Sequence, residues 1–107
     1  PRFENMLAVH LQKACHFWTD TGEGDFSLHY LRNKEKQEID FLIVKNKKPW
    51  LAVEAKYSDK NIDTKAVDKF IEALQVPYVQ VVFQDGVYRL EKNKLLVSAN
   101  SFLKNLP

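Results

Sequence analysis

A chain of 107 residues with 45% hydrophobic and 28% charged content is long enough for one hydrophobic core and too short for two. Its one cysteine, Cys15, excludes an internal disulfide and a cysteine-rich zinc site, and suits a reducing, cytoplasmic compartment. No apolar run reaches membrane-spanning length and no signal peptide is visible, so no membrane partner is expected, while a net charge of +2 is too small to argue for nucleic acid by itself.

Arg2 to Phe17 reads as an amphipathic helix, because Leu7, Leu11, Ala14 and Trp18 follow helical spacing. The chain starts inside this helix, which points to a single domain (1–107) cut from a longer polypeptide. Glu4 borders the apolar stripe and has two readings. It is either a first-turn acid stabilised by the helix dipole or a carboxylate aimed at the site described next. A glycine-containing polar loop, Thr19 to Asp25, precedes an alternating strand from Phe26 to Leu31, with Phe26, Leu28 and Tyr30 on one side. Arg32 to Lys36 is a charged turn.

From Gln37 to Lys56 the sequence QEIDFLIVKNKKPWLAVEAK reads as two apolar strands joined by a basic turn at Asn46–Lys48. Period-2 alternation puts Ile39, Phe41 and Ile43 on one face, and Asp40, Leu42 and Val44 on the other. Both faces are otherwise apolar, as in a central strand covered on both sides, so Asp40 falls where an unpaired carboxylate is costly. In the next strand Trp50, Ala52, Glu54 and Lys56 share a face. A hairpin would bring Asp40 beside Glu54 and Lys56, and two carboxylates with an ammonium at a strand end form a small metal site. Between Arg32 and Lys69 ten basic residues stand against seven acids. That reads as a basic rim attracting a phosphodiester, or as solvated lysines.

Tyr57 to Ile62 is a connecting loop, and Asp63 caps an expected helix to Leu74 that would bury Val67, Phe70, Ile71 and Leu74 before Pro77 ends it. Tyr78 to Phe83 reads as a buried strand. Asp85-Gly86 then signals a hairpin into Val87–Leu90, Lys94–Val97 reads as a short edge strand, and Ser101–Leu106 as a last helical turn. The order predicts a meander of three strands, a parallel crossover through a helix, and a mixed sheet with helices on its faces.

This order and these residues resemble the PD-(D/E)xK nuclease superfamily, with its restriction-endonuclease-like α/β fold, an αβββαβ core around a central mixed sheet. Asp40 matches the acid of the second core strand, and Glu54-Ala55-Lys56 matches the acid-x-Lys of the third, with thirteen residues between the acids. Ile39 stands where a proline often precedes the first acid. Glu4 stands where many members carry a glutamate on the first helix. A closer similarity, over nearly the whole chain to about Leu90, is to the C-terminal domain of bacterial and archaeal AAA+ ATPases. It rests on Phe3-Glu4-Asn5, Tyr30-Leu31-Arg32, Glu38-Ile39-Asp40-Phe41 and Val53-Glu54-Ala55-Lys56. That similarity implies an N-terminal ATPase module in the parent chain. No Walker-type glycine-rich loop occurs here, so ATP is not expected to bind this segment through one.

The resemblance implies a metal-dependent phosphodiesterase acting on nucleic acid, with DNA favoured. Asp40 and Glu54 would hold Mg²⁺ or Mn²⁺, with the Ala55 carbonyl as a further ligand. Lys56 would orient the attacking water or stabilise the oxyanion, and Glu4 could hold a second metal or a metal-bound water. Nucleases of this fold often act as dimers, so a homodimer is among the partners considered. The alternative is a retired nuclease that binds nucleic acid or docks within the ATPase. In the plainest reading Asp40, Glu54 and Lys56 are a strand-end ion cluster. Asp63-Thr64-Lys65 repeats the acid-x-Lys pattern without a buried acid before it. His10, His16 and His29, the loop residues Tyr57 and Ser58, the aromatic Trp18 and Trp50, and Cys15 read as structural or surface residues.

Overall fold

The computed structural model describes residues 2–32, 39–56, 75–91 and 94–107, with Leu31, Arg32, Ile39, Asp40 and Glu91 described by backbone alone. The expected 63–74 helix, the 57–62 loop and most of the charged turn after Arg32 lie outside these residues.

The first helix, α1 (Arg2–Asp20), buries Phe3, Leu7, Leu11, Ala14 and Cys15. This is the anticipated stripe, and the helix runs one turn further than the spacing suggested. Thr21 stops it, donating both its N–H and its hydroxyl to the Phe17 carbonyl at 2.9 and 2.8 Å. The chain then enters β1 (Phe26–Arg32), whose first N–H is held by the Thr19 hydroxyl at 2.9 Å. The meander continues through β2 (Ile39–Lys45) and β3 (Lys48–Lys56), antiparallel at each step. Strand β4 (Tyr78–Val82) lies parallel to β3, as a crossover connection requires. The chain ends with β5 (Tyr88–Glu91), β6 (Lys94–Ser98) and helix α2 (Ala99–Lys104). The architecture is a mixed α/β fold.

The six described strands form one sheet in the order β1-β2-β3-β4-β6-β5. Two expectations from the C-terminal sequence are corrected here. Asp85-Gly86 does turn the chain, with Gly86 at φ +78°, but it makes no hairpin between β4 and β5. Strand β6 is inserted between them, parallel to β4, so β6 is internal and β5 is the edge. The reason is composition. Leu96, Val97 and Ser98 of β6 are buried, whereas Tyr88, Arg89 and Leu90 of β5 are exposed. Ser98 fixes the crossing chain: its hydroxyl accepts the Val87 N–H at 2.7 Å and donates to the Gln84 carbonyl at 2.9 Å.

Both described helices cover the same sheet face. There Phe3, Leu7, Leu11 and Cys15 meet Phe41, Ile43, Val53, Ala55, Val79, Val81 and Val97, with Phe102 and Leu103 of α2 packed against them. Complete burial of a Leu, Ile or Phe is worth about 1.5–3 kcal/mol each. The opposite face carries a smaller apolar group of Ala52 and Tyr78 beside Leu42 and Val76, and another of Val82, Val87 and Leu96. It also carries the polar residues of interest. No described helix is long and apolar enough to cross a membrane.

One residue changes face. Between the rungs Ile43↔Leu51 and Val44↔Pro49, β2 advances one residue and β3 advances two. Trp50 is therefore the extra residue of a β-bulge, which re-aims a side chain. Instead of sharing the face of Ala52 and Glu54, Trp50 packs with Trp18 at 5.6 Å and Phe26 at 5.3 Å, on the helix side.

Candidate functional site

The β2–β3 hairpin sets the site. Its two-residue loop has Asn46 at φ 52° and Lys47 at φ 69°, the pair of positive angles that a type I′ turn needs. Asn46 also ties the loop to the start of β1, giving its N–H to the Asp25 carbonyl at 2.8 Å and accepting the Asp25 N–H at 2.9 Å. The register that follows sets Asp40 directly opposite Glu54. The Ala52 N–H bonds to Pro77 at 3.0 Å and the Lys56 carbonyl accepts from Phe83 at 2.8 Å, so even-numbered residues of β3 bond toward β4. Asp40 and Glu54 thus form a non-hydrogen-bonded rung. In such rungs facing Cα atoms approach to about 4.5 Å, the closer of the two antiparallel spacings. The same alternation turns the Ala55 carbonyl to the β2 side, one step past this last rung.

Glu54 is 0% exposed. A carboxylate that deep is costly unless it is paired and hydrogen-bonded. Lys56, two residues on and on the same face, brings Nζ to 2.7 Å from Glu54 Oε1. Across the parallel ladder Glu54 faces Gln80, which donates Nε2 to Oε2 at 3.4 Å. Gln80 is itself fully buried. Sequence reading passed over it inside an apolar strand. The signal was there: one amide in YVQVV, on the alternating face that carries Tyr78 and Val82.

Glu4 comes from the other side of the sheet. The Phe3 ring packs against the Phe83 ring at 5.4 Å, and the Phe83 N–H bonds to the Lys56 carbonyl. The first turn of α1 therefore stands at the strand end where Lys56 stands, and one Glu4 carboxylate oxygen is shielded from solvent. The structure brings Asp40, Glu54, Ala55 and Lys56 together by register, and Glu4 to the same end of the sheet.

The donor set is carboxylate, carbonyl and amide oxygen, which is hard-cation chemistry of the Mg²⁺ or Mn²⁺ type. Gln80 Oε1 and the Tyr78 hydroxyl are buried on the Glu54 face with no hydrogen-bond partner among the described residues. An unmatched acceptor beside a carboxylate suits a cation or a water and opposes an anion. Among the described side chains, which exclude Asp40, no three His, Cys, Asp or Glu residues converge as a cage.

The remaining candidates fall elsewhere. His16 bonds to Gln12 at 3.0 Å and His29 to Ser27 at 3.1 Å, both on the exposed surface. Cys15 is buried, and burial pushes its thiol pKa up, away from nucleophile chemistry. Trp18 packs at 5.2 Å on Phe26 as a core aromatic. Tyr57, Ser58 and the Asp63-Thr64-Lys65 decoy lie outside the described residues.

Residues 2–102 match the family model described as "Domain of unknown function (DUF4143)". No curated protein and no solved structure matches the chain.

Proposed function

The chain belongs to the DUF4143 family, a domain found at the C-terminus of AAA ATPase-associated proteins, and we propose that it is a metal-dependent phosphodiesterase of the PD-(D/E)xK type acting on nucleic acid. One observation carries this reading: a fully buried Glu54, ion-paired to Lys56 at 2.7 Å, stands opposite Asp40 at the end of two paired strands. Buried ionic groups contribute little net stability compared with well-packed apolar residues, so such a cluster is better accounted for by chemistry than by folding.

In this reading Asp40, Glu54 and the Ala55 carbonyl hold Mg²⁺ or Mn²⁺, and Glu4 serves the same end of the sheet. When bound, the ion supplies Lewis-acid stabilisation of phosphate charge and a more acidic water. Lys56 stands within hydrogen-bond reach of Glu54 and offers its ammonium to the negative charge that develops on the phosphate. Gln80 holds the Glu54 carboxylate from the second side and fixes its orientation. The basic residues between Arg32 and Lys69 favour a polyanionic substrate, and the resemblance to the nuclease superfamily favours DNA.

A second reading has its own observation. Lys56 and Gln80 together engage both oxygens of Glu54, as they would in a purely structural cluster. That arrangement supports a retired nuclease that binds nucleic acid or docks on the ATPase module.

Labelled single-stranded, duplex and forked DNA, with RNA beside them, separate the two readings when incubated in Mn²⁺, in Mg²⁺ and in chelator. The phosphodiesterase reading expects metal-dependent cleavage that falls by about 10²–10³ in Lys56→Ala, the loss typical of removing one transition-state donor. Binding without cleavage, equal in metal and in chelator and unchanged in Glu54→Gln, would instead uphold the retired domain.

A further inference from the structure

Two polar side-chain atoms on the Glu54 face are buried without a hydrogen-bond partner among the described residues, the Tyr78 hydroxyl and Gln80 Oε1. They are not equivalent. Tyr78 faces Ala52 across the parallel ladder and packs in an apolar group, so no carboxylate stands on its rung. Gln80 faces Glu54 on one side and Leu96 on the other, with Val82 two residues along its own strand. Neither Leu96 nor Val82 has a side-chain group that could meet an amide. Gln80 and Glu54 are both 0% exposed.

A glutamine amide offers two donors and an oxygen that can accept twice. Here one donor is used, Nε2 to Glu54 Oε2 at 3.4 Å, longer than the usual N–H···O range of about 2.7–3.2 Å. Burying an unmatched carbonyl oxygen is costly, and leucine or valine would fill this place in YVQVV without that cost. Holding Glu54 accounts for the nitrogen of Gln80 and leaves its oxygen unexplained.

We propose, on the reading that this strand end holds Mg²⁺ or Mn²⁺, that Gln80 is itself a ligand of the ion, its Oε1 sharing the cation with Glu54.

Half a turn about the last side-chain bond exchanges Nε2 and Oε1. The group that donates to Glu54 in the ion-free protein then accepts beside it, and the buried carboxylate keeps a partner in both states. The separation of 3.4 Å is of the size of the oxygen–oxygen edges around a hard divalent cation, about 3.0–3.4 Å. Amide carbonyls are ordinary members of such ligand sets. Charge agrees as well: Asp40 and Glu54 already balance two positive charges, so a neutral oxygen adds a ligand without adding a third buried carboxylate.

Calorimetric titration of the parent, Gln80→Leu and Gln80→Glu with Mn²⁺ tests the assignment, and urea unfolding in chelator confirms that each variant folds. Gln80→Leu lowers Mn²⁺ affinity by about tenfold or more, a loss typical of disturbing the groups around a metal. Gln80→Glu separates a ligand from a mere support for Glu54. An ionised glutamate cannot donate to Glu54 but still supplies an oxygen, so affinity stays at or above that of the parent. In chelator this variant unfolds at lower urea than the parent, because two carboxylates then face each other, and Mn²⁺ raises its midpoint by more than the parent's. Mn²⁺ binding in Gln80→Leu as tight as in the parent overturns the assignment. So does an affinity in Gln80→Glu that falls as far as in Gln80→Leu. A parent that binds no Mn²⁺ overturns the metal centre itself, and the role of Gln80 with it.

Discussion

Replacing Lys56 by methionine is expected to destabilise the chain by about 3–5 kcal/mol, the typical consequence of removing one partner from a buried ion pair. The lysine side chain is only 14% exposed and its Nζ lies 2.7 Å from a carboxylate with no exposure at all. Methionine keeps the stem and removes the charge, so lost packing is a minor part of the effect. The burden falls on Glu54, which is left in an apolar strand without its ammonium partner, with Gln80 donating Nε2 to its other oxygen at 3.4 Å. Glu54→Gln in the Lys56→Met background is expected to recover most of the loss, because the buried charge is then gone. Urea unfolding of the four proteins closes a double-mutant cycle, and its interaction energy measures the pair. A Lys56→Met variant within about 0.5 kcal/mol of the parent, the range of ordinary surface substitutions, would mean that the pair is solvated.

The second large effect lies on the opposite face. Phe41→Ala is expected to cost about 3–5 kcal/mol, the range for truncating a large buried aromatic. Phe41 is fully buried, sits on the rung facing Val53, and carries the Tyr30 ring at 5.5 Å. It is also the residue after Asp40, so the cavity opens directly beneath the rung that sets Asp40 against Glu54. Ile43→Val, two residues along the same face, removes a single methylene and is expected to cost about 0.5–1.5 kcal/mol. Urea midpoints for the two variants check the gradation. Equal losses at both positions would show that the effect comes from the hairpin as a whole and not from the volume removed.

The parts of the fold that could be read from sequence are those set by local period. The stripe of α1 is a 3.6-residue pattern, and Phe41 and Ile43 against Asp40 and Leu42 is a period-2 pattern, so each residue's face was legible. Asp40 and Glu54 could be brought together because a short basic turn leaves little choice of register. The bulge at Trp50 was not legible. It inserts one residue between rungs without altering the apolar pattern, since tryptophan is at home on either face. The order of the last strands was not legible either. A turn dipeptide such as Asp85-Gly86 reports that the chain reverses, while the partner of the next strand is a choice made by burial across the whole sheet. Leu96, Val97 and Ser98 win the internal position there over Tyr88, Arg89 and Leu90. Gln80 was missed for a related reason. Its pairing with Glu54 depends on a parallel contact between residues 26 positions apart, which no local pattern encodes.

The measurement that bears most directly on the central claim is a calorimetric titration of this chain with Mg²⁺ and Mn²⁺, repeated on Asp40→Ala. The account predicts one saturable site in the parent, lost in Asp40→Ala while cooperative unfolding is retained. Absence of binding in the parent, or identical binding in Asp40→Ala, would contradict it.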